Sequence, residues 1–370
     1  MIKDHCFTEE WLEAFRKQKN HSRIDKIILE KMIYALHLLE ELRAHGLEFV
    51  FKGGTSLVLL LEQDNRFSID IDIICTAGRE ELESIFGKIV EVSRFTGFEI
   101  DTHRSYLPGV PKAHYKFSFE TNQQGSGTIL LDILFEKQLY PELIEKPINT
   151  KWIEVEDEHS VALPSVDSIT GDKLTAFAPN TIGIPYFKGR DRQPFSMEIC
   201  KQLFDLSRLF EQIRNMETVA ASFKAFSEQE IAYRKNGQEQ FDLTPEDVLQ
   251  DTLDTCLILA KRGTGSTGEQ EKFVELQRGI RAFGTGFLMS GTFRIDDAIP
   301  ASARIAYLAA KLKVSDLTPI DYYNGQDVSK LTIEDPDWNF LNRLKRQPDK
   351  SSFYYWYHTI RLLTGSKNNP

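Results

Sequence analysis

Residues 49–75 restrict the fold of this chain more than any other stretch, because they indicate a strand, a glycine turn, a helix, a loop and a second strand in close succession. The apolar run at 49–51 ends in a lysine and two glycines, Gly53 and Gly54. Glycines at this point let the backbone turn sharply and let a ligand approach it closely. The stretch therefore predicts a sheet with a binding turn at the end of one strand.

The residues after the glycines suit the start of a helix. Thr55 or Ser56 can cap the helix that residues 57–61 continue, since a hydroxyl oxygen can accept a hydrogen bond from a free backbone N–H of the first turn. The N-terminus of a helix also combines unsatisfied N–H groups with the positive end of the helix dipole, and this combination suits a phosphate. We therefore expect a phosphate-binding turn here.

Two aspartates follow at the second strand. Side chains alternate between the faces of a strand, so Asp70 and Asp72 point to one side while the isoleucines beside them point to the core. Two carboxylates on one face, about 7 Å apart along the strand, repel each other unless a cation lies between them. Mg²⁺ is commonly held by one or two carboxylates together with substrate phosphates. A strand with an ordinary polar face is the alternative, and the glycine turn upstream favours the metal site.

The string Lys52-Gly-Gly-Thr-Ser-Leu, followed by Arg66-Phe-Ser-Ile-Asp-Ile-Asp72, resembles the signature of the polymerase-β-type nucleotidyltransferase superfamily. In its full form it is similar to the AbiEii/AbiGii-type toxin nucleotidyltransferases, the toxin halves of bacterial abortive-infection and toxin–antitoxin systems. The resemblance implies an α+β fold, in which a small mixed sheet with helices is followed by a helical C-terminal domain that closes over the nucleotide. It also implies a set of nucleotide-binding residues, namely Gly53, Gly54, Thr55, Ser56, Arg66, Ser68 and Lys173.

A third aspartate lies farther along, inside an apolar segment. Residues 112–121 and 127–136 indicate two strands, and Asp132 falls within the second. A buried carboxylate without a partner is costly, so this residue needs a hydrogen-bond donor or a cation. A strand-end aspartate bonded to backbone is one explanation. The resemblance implies the other, in which Asp132 is a third catalytic carboxylate and shares two Mg²⁺ (or Mn²⁺) ions with Asp70 and Asp72.

Two charged residues in the second half extend the resemblance. Asp172-Lys173-Leu is similar to the family's lysine motif, which implies that Lys173 contacts nucleotide phosphates; a solvated helix lysine is the alternative. Lys201-Gln-Leu-Phe-Asp205-Leu resembles the family's Lys-Asp-Leu-Tyr-Asp-Leu helix, although Gln202 stands in place of the first aspartate. The match makes Asp205 a candidate general base or a residue that orients Lys173. A surface ion pair between Lys201 and Asp205 is the alternative.

Charge limits the classes of partner. The formal net charge of −10 argues against a protein that coats nucleic acid, although it is compatible with a local basic groove. The basic loop at 187–194 either grips substrate phosphates or is a solvated linker. A groove that accepts tRNA would be formed by the cations of this region, Lys173, Lys188, Arg190, Arg192 and Lys201.

Cysteine spacing and hydropathy indicate the cellular compartment in which the protein is expected. The four cysteines show no Cys-x-x-Cys spacing, which indicates reduced thiols in a cytoplasmic protein. We expect no membrane association, because no signal-like segment and no sufficiently long apolar run occurs. The length of 370 residues is enough for two domains, and the pattern changes from strand-rich to helix-rich near 160–165. We therefore predict a nucleotidyltransferase domain at 1–163 and a helical domain at 164–370.

Together the motifs predict a metal-dependent nucleotidyltransferase that transfers a nucleoside monophosphate from an NTP to an acceptor. The resemblance implies a toxin that modifies the 3′ end of tRNA and is neutralised by a separately encoded antitoxin. Nucleotidylation of a protein or of a small molecule is an alternative for the same chemistry. A module that binds a nucleotide or a partner without catalysis is a further alternative, which the presence of all three aspartates disfavours.

Overall fold

The structure is a computed structural model that describes residues 1–18, 21, 24–61, 66–106, 111–123, 125–235, 242–289 and 291–365. Contacts between Cα atoms divide the chain into two compact units. The first is Met1–Ser165 with Phe287–Gly291, and the second is Val166–Gly286 with Thr292–Pro370. The domain limits 1–163 and 164–370 stay a prediction. The contacts add that a short segment distant in sequence groups with the first unit.

The first unit carries a sheet of seven strands within the described part of the chain. These strands are β1 (Val50–Lys52), β2 (Ile71–Ile74), β3 (Phe95–Ile100), β4 (Lys112–Thr121), β5 (Gly125–Leu134), β6 (Leu143–Pro147) and β7 (Ser160–Pro164). The α-helices of this unit are α1 (Glu9–Arg16), α2 (Lys26–Ala44), α3 (Gly53–Leu60) and α4 (Arg79–Val92), and a 3₁₀ helix spans Asp4–Phe7.

The sheet is mixed, with the strand order β3-β4-β5-β2-β1-β7-β6. Strands β2 and β5 are parallel, as are β1 and β7, and the remaining neighbours are antiparallel. This topology places β2 beside β5 although about fifty residues separate them in sequence. The polar residues of the two strands therefore meet only through the tertiary fold.

One face of the sheet is covered by α2 and α4. Tyr115, Phe117 and Phe119 alternate along β4 and are almost fully buried. Phe86 of α4 makes edge contacts with the first two, and Tyr34 of α2 stacks on Phe119 at 3.8 Å between ring centroids. Because strand side chains alternate, the intervening residues of β4 belong to the other, half-exposed face. The polar residues described below lie on that face.

Helix α3 begins earlier than the sequence predicted. It begins at Gly53, and its N-cap residue, Lys52, makes no side-chain capping bond. The prediction that Thr55 or Ser56 caps this helix is wrong, since both lie inside its first turn. The reason is the backbone of Gly53, whose φ of +76° lets the chain pass from strand to helix without an intervening cap residue.

The second unit is mainly helical. Its α-helices are α5 (Val166–Ala176), α6 (Ser196–Phe210), α7 (Met216–Lys235), α8 (Pro245–Lys261), α9 (Thr267–Gly286), α10 (Ile295–Lys313) and α11 (Ser351–Gly365). A 3₁₀ helix spans Asn339–Arg346, and a short hairpin is formed by β8 (Phe187–Lys188) and β9 (Gln193–Pro194). Helix α10 contacts α6, α8 and α11. Helix α5 packs closely on α7 because Gly171 has no side chain. A Cβ at this position would lie 2.5 Å from the backbone nitrogen of Phe223 on α7.

The predicted fold class is confirmed. The chain is α+β, with a mixed sheet and its helices first and a helical region after them. Strand β5 differs from the prediction at both ends, since it begins at Gly125 and ends at Leu134 where the sequence predicted 127–136. The shift of two residues shortens the loop between β4 and β5 and therefore changes which residues of the two strands pair with each other. Within the described residues, no helix is both long enough and apolar enough to cross a membrane.

Candidate active site

A row of polar residues crosses four adjacent strands of the sheet. Lys52 on β1 pairs with Asp72 on β2, Asp72 pairs with Asp132 on β5, and Asp132 pairs with His114 on β4. Residues directly opposite each other on neighbouring strands point to the same face, and neighbouring strands lie about 4.8 Å apart. Two aspartates therefore stand side by side, with a lysine on one flank and a histidine on the other.

Gly53 brings the start of α3 against the middle of this row. A Cβ built on Gly53 would overlap the Asp72 carboxylate. The residue also has a φ of +76°, a conformation that side chains other than glycine rarely adopt. Only glycine at this position lets the free N–H groups of the helix start come so close to a carboxylate. The predicted glycine turn and the predicted metal-binding aspartate thus lie next to each other.

The hydroxyls of the predicted phosphate-binding turn hold the loop before β2. Thr55 Oγ1 donates to the backbone carbonyl of Asp70 at 2.5 Å and lies 2.8 Å from Ser68 Oγ. Ser56 Oγ donates to the Gly53 carbonyl at 2.9 Å. Both threonine and serine are buried. In this structure their side chains therefore fix the turn and the loop to each other, and the backbone N–H groups are the part of the turn suited to a phosphate.

Arg66 lies under the second glycine of the turn. It is only 4% exposed, and a Cβ built on Gly54 would overlap its Nη2. Its Nη1 donates to the Phe67 carbonyl at 2.9 Å. An isolated antiparallel bridge joins Arg66 to Leu288, and the Phe67 N–H donates to the Phe287 carbonyl at 2.9 Å. The burial shows a packing role for this arginine, and its predicted contact with a nucleotide stays a prediction.

The environments of the three aspartates differ. Asp70 is exposed and lies just before β2, so the prediction that it is on this strand is wrong, and Ile69 is half-exposed where the sequence predicted a core position. Asp72 is half-buried, and Ile71 and Ile73 are buried, as the alternation predicted. The Asp132 side chain is 33% exposed and its Oδ1 lies 2.6 Å from His114 Nδ1. Side-by-side carboxylates repel each other, so the pair of Asp72 and Asp132 is suited to share a cation.

The three aspartates are the candidate ligands of the divalent metal that the resemblance implies. Across the ranges that the structure describes, no group of three or more His, Cys, Asp or Glu side chains is arranged to hold a metal ion. Mg²⁺, however, is typically held by one or two carboxylates and completes its shell with water and substrate phosphates. An aspartate pair next to the start of α3 provides that donor set. The metal-binding roles of Asp70, Asp72 and Asp132 stay predictions, and the donor set fits them.

His114 was missed at the sequence level, because no histidine shows a regular ligand spacing. The available signal was the hairpin of β4 and β5. A second strand that starts with Gly127 opposite Thr121 would place His114 opposite Leu134. The observed pairing of Thr121 with Gly125 places it opposite Asp132 instead. Whether His114 contacts Asp132 thus depends on the length of the loop between β4 and β5.

In the second unit, Lys173 of α5 and Asp205 of α6 form a buried ion pair. The Lys173 ammonium group donates to Asp205 Oδ2 at 2.9 Å and to Gln202 Oε1 at 3.2 Å. Lys173 is therefore not a solvated helix lysine. Gln202, which departs from the family pattern, here accepts a hydrogen bond from the same lysine. The pairing matches the predicted role of Asp205 as a residue that orients Lys173, and its role as a general base stays a prediction.

The predicted basic groove stays a prediction. Lys173 is 6% exposed and pairs with Asp205 on α6, so its charge is not presented on an open surface. Lys201 donates to Glu198 at 2.9 Å. The β8–β9 hairpin exposes Lys188, Arg190 and Arg192, and Arg192 lies over the Phe187 ring at 4.6 Å. Three exposed cations beside an aromatic ring are compatible with phosphate binding and with an ordinary solvated hairpin.

Comparison with known proteins places this geometry in context. Residues 37–261, more than half of the chain, match the family model for the nucleotidyl transferase AbiEii toxin of type IV toxin–antitoxin systems. A solved structure of a candidate nucleotidyltransferase from H. pylori is 17% identical, with a TM-score of 0.33, and covers 69% of this chain and 92% of its own. An antigenic nucleotidyltransferase-like protein from Paracoccidioides brasiliensis is 11% identical, with a TM-score of 0.36, and covers 56% and 88%. No curated protein matches the chain.

Proposed function

Because the chain belongs to the AbiEii nucleotidyltransferase toxin family of type IV toxin–antitoxin systems, we propose that it transfers a nucleoside monophosphate from an NTP to an acceptor hydroxyl. The observation that carries the proposal is the close contact of Gly53 with Asp72, in register with Asp132 on the adjacent strand. A phosphate-binding helix start and a carboxylate pair at one place are what the transfer requires.

In this proposal the turn binds the triphosphate. The backbone N–H groups of Gly53, Gly54, Thr55 and Ser56 at the start of α3 hold its β- and γ-phosphates, helped by the positive end of the helix dipole. The Thr55 hydroxyl keeps the turn and the Asp70 loop in a fixed relation. Binding the phosphates at this point brings the α-phosphate to the carboxylate row.

Asp72 and Asp132, with Asp70 at the exposed end of the loop, would hold divalent cations, Mg²⁺ or Mn²⁺. When bound, such a metal polarises the α-phosphate and lowers the pKa of the attacking hydroxyl. The protein's own contribution is positioning, because its carboxylates are carried on two hydrogen-bonded strands and need little reorganisation. Lys52, at the end of the row, adds positive charge beside Asp72.

The family resemblance also assigns a cation to the nucleotide. We assign Lys173 to the triphosphate charge and Asp205 to the orientation of its ammonium group. A lysine that is paired with a carboxylate keeps a fixed position, and the carboxylate neutralises part of its positive charge.

The tRNA 3′ end is the acceptor that we propose to test first. The exposed cations of the β8–β9 hairpin support an anionic acceptor. We also propose a separately encoded antitoxin as partner, and the cytoplasm as the place of reaction, where buried free thiols such as Cys75 and Cys200 stay reduced.

The experiment incubates the purified protein with each α-³²P-labelled NTP, Mg²⁺ and total bacterial tRNA. Asp72→Asn is the inactive comparison, and Glu120→Gln, an exposed acid at the far end of β4, is the matched control. Label on tRNA with the wild type and E120Q, but not with D72N, supports reaction and acceptor together. Label on protein instead of tRNA supports the proposed transfer reaction but identifies a protein as the acceptor. Equal labelling by D72N and the wild type contradicts the site, and absence of transfer to any acceptor with every nucleotide contradicts the proposed activity.

A further inference from the structure

We propose that His114 is a positioning residue that fixes the Asp132 carboxylate and thereby sets the affinity of the divalent-cation site. The inference rests on the proposed function, which assigns Asp132 to the metal, and it adds a residue that the motifs do not contain. The observation is the contact of 2.6 Å between His114 Nδ1 and Asp132 Oδ1.

The backbone of His114 is held in place from the side away from Asp132. Strand β3, the neighbour of β4 on that side, ends at Ile100, and residues that follow it in the chain form hydrogen bonds with the backbone of His114. The Asp101 N–H donates to the His114 carbonyl at 2.8 Å. Ser105 Oγ accepts from the His114 N–H at 2.8 Å and lies 3.4 Å from its carbonyl oxygen. Bonds on both sides of β4 therefore fix the point from which the imidazole reaches Asp132.

In this proposal His114 Nδ1 carries the proton of the contact. An ionised carboxylate only accepts hydrogen bonds, so the hydrogen between the two groups lies on His114 Nδ1. That bond holds Oδ1 of Asp132 and restricts rotation of the carboxylate. Oδ2 makes no hydrogen bond to the described residues and is the atom available to a cation. A metal site whose ligand is already oriented loses less freedom on binding, which is why groups that bond to ligands affect metal affinity.

His114 is separable from the core that folds this unit. Its neighbours on β4, Ala113 and Tyr115, are at most 1% exposed and face α4, whereas the His114 side chain is 16% exposed on the opposite face. Substitution of His114 therefore leaves the packed face unchanged. Lys116 provides a matched control, because it lies two residues along the same face and pairs with Glu99 at 3.3 Å.

The test uses variants that differ in where they place an N–H donor. The side-chain nitrogen of asparagine occupies nearly the place of Nδ1, whereas that of glutamine lies one bond farther out, nearer the place of Nε2. His114→Asn should therefore keep the bond to Asp132, and His114→Gln and His114→Leu should lose it. Lys116→Ala changes an ion pair on the same strand without touching the row.

Mn²⁺ binding to the metal-free, nucleotide-free protein is measured by electron paramagnetic resonance, with thermal unfolding as the check on folding. We expect H114L and H114Q to bind Mn²⁺ about 10–100-fold more weakly, and H114N and K116A to stay within about threefold of the wild type. The nitrogen-15 spectrum of the metal-free protein should show a proton on His114 Nδ1.

Several outcomes overturn the inference. Wild-type Mn²⁺ affinity in H114L, or a loss in H114N as large as that in H114L, removes the positioning role. A proton found only on Nε2 does the same. These failures are distinct from failure of the proposed function: if D72N and D132N abolish Mn²⁺ binding and transfer while H114L does neither, the catalytic site stands and only the role of His114 is lost. If D72N and D132N keep both Mn²⁺ binding and transfer, the proposed function and the role of His114 are both wrong.

Discussion

Lys173 and Asp205 form an ion pair of 2.9 Å that is almost completely buried, with side chains 6% and 2% exposed. They lie on different helices and are separated by 31 intervening residues, so only the packing of α5 on α6 brings them together. Buried charges are costly unless they are paired, and the pair therefore ties the two helices to each other as well as fixing a candidate catalytic lysine.

The first prediction concerns the stability contributed by this pair. Lys173→Met removes the cation beside the buried Asp205 carboxylate and should lower the free energy of unfolding by about 3–5 kcal/mol. The double variant K173M/D205L removes both charges and should recover most of that loss, since a hydrophobic pair of similar volume is tolerated. Urea unfolding followed by circular dichroism measures both. Lys201→Met, which breaks the more exposed contact with Glu198, is the control and should cost no more than about 1 kcal/mol. Additive losses in the double variant would contradict the prediction.

The second prediction separates the steric role of Gly53 from its backbone conformation. Gly46 has a similar φ of +82° but nothing within 4 Å of the place where a Cβ would stand, whereas a Cβ on Gly53 overlaps Asp72. Gly46→Ala should therefore cost about 1–2 kcal/mol of stability through backbone strain and leave nucleotide transfer unchanged. Gly53→Ala should carry the same strain and also lose transfer by about a hundredfold or more. Thermal unfolding and a single-turnover transfer assay measure the two effects. Equal activity of the two variants would count against the Gly53–Asp72 contact as part of the site.

The third prediction concerns the carboxylate pair. Asp72→Asn and Asp132→Asn each remove a negative charge from the polar row and should reduce transfer by about a hundredfold or more, because the developing charge at the reacting phosphate loses its stabilising cation. Both variants should keep or slightly raise the free energy of unfolding, since they relieve repulsion between neighbouring carboxylates. Transfer rates at saturating NTP and urea unfolding check the two halves. Unchanged transfer in either variant, with Glu120→Gln as reference, would remove that residue from the site.

The fourth prediction is a pH effect in the helical unit. Burial lowers the pKa of His358, opposed by Asp321 and reinforced by Arg361. A histidine with a lowered pKa binds more protons in the unfolded chain, so stability is fully present above the usual histidine pKa of about 6.5 and is lost as the pH falls through the folded pKa. His358→Gln should flatten the loss of unfolding free energy between pH 7.5 and 5. Urea unfolding at several pH values gives the slopes, and identical slopes for the wild type and variant would contradict the assignment.

Local patterns accounted for much of the first unit. The period of two predicted that Ile71 and Ile73 are buried while Asp72 points to the other face, because side-chain direction on a strand depends only on position along it. The glycines before an apolar helical run predicted the turn between β1 and α3, because backbone freedom is a property of the residue itself. These inferences needed no knowledge of the neighbouring strands. The match of the whole string to the family then identified the fold class and the kind of reaction.

The tertiary structure decided which of these residues meet. The pairing of Asp72 with Asp132 depends on strand order, and that of Asp132 with His114 depends on a hairpin register that a shift of two residues would change. The burial of Lys173 beside Asp205 likewise depends on the packing of two helices that are far apart in sequence. Side-chain alternation and glycine flexibility are local and can be predicted from sequence. Register, helix packing and burial depend on the free energy of the whole chain, and only the folded structure contains them.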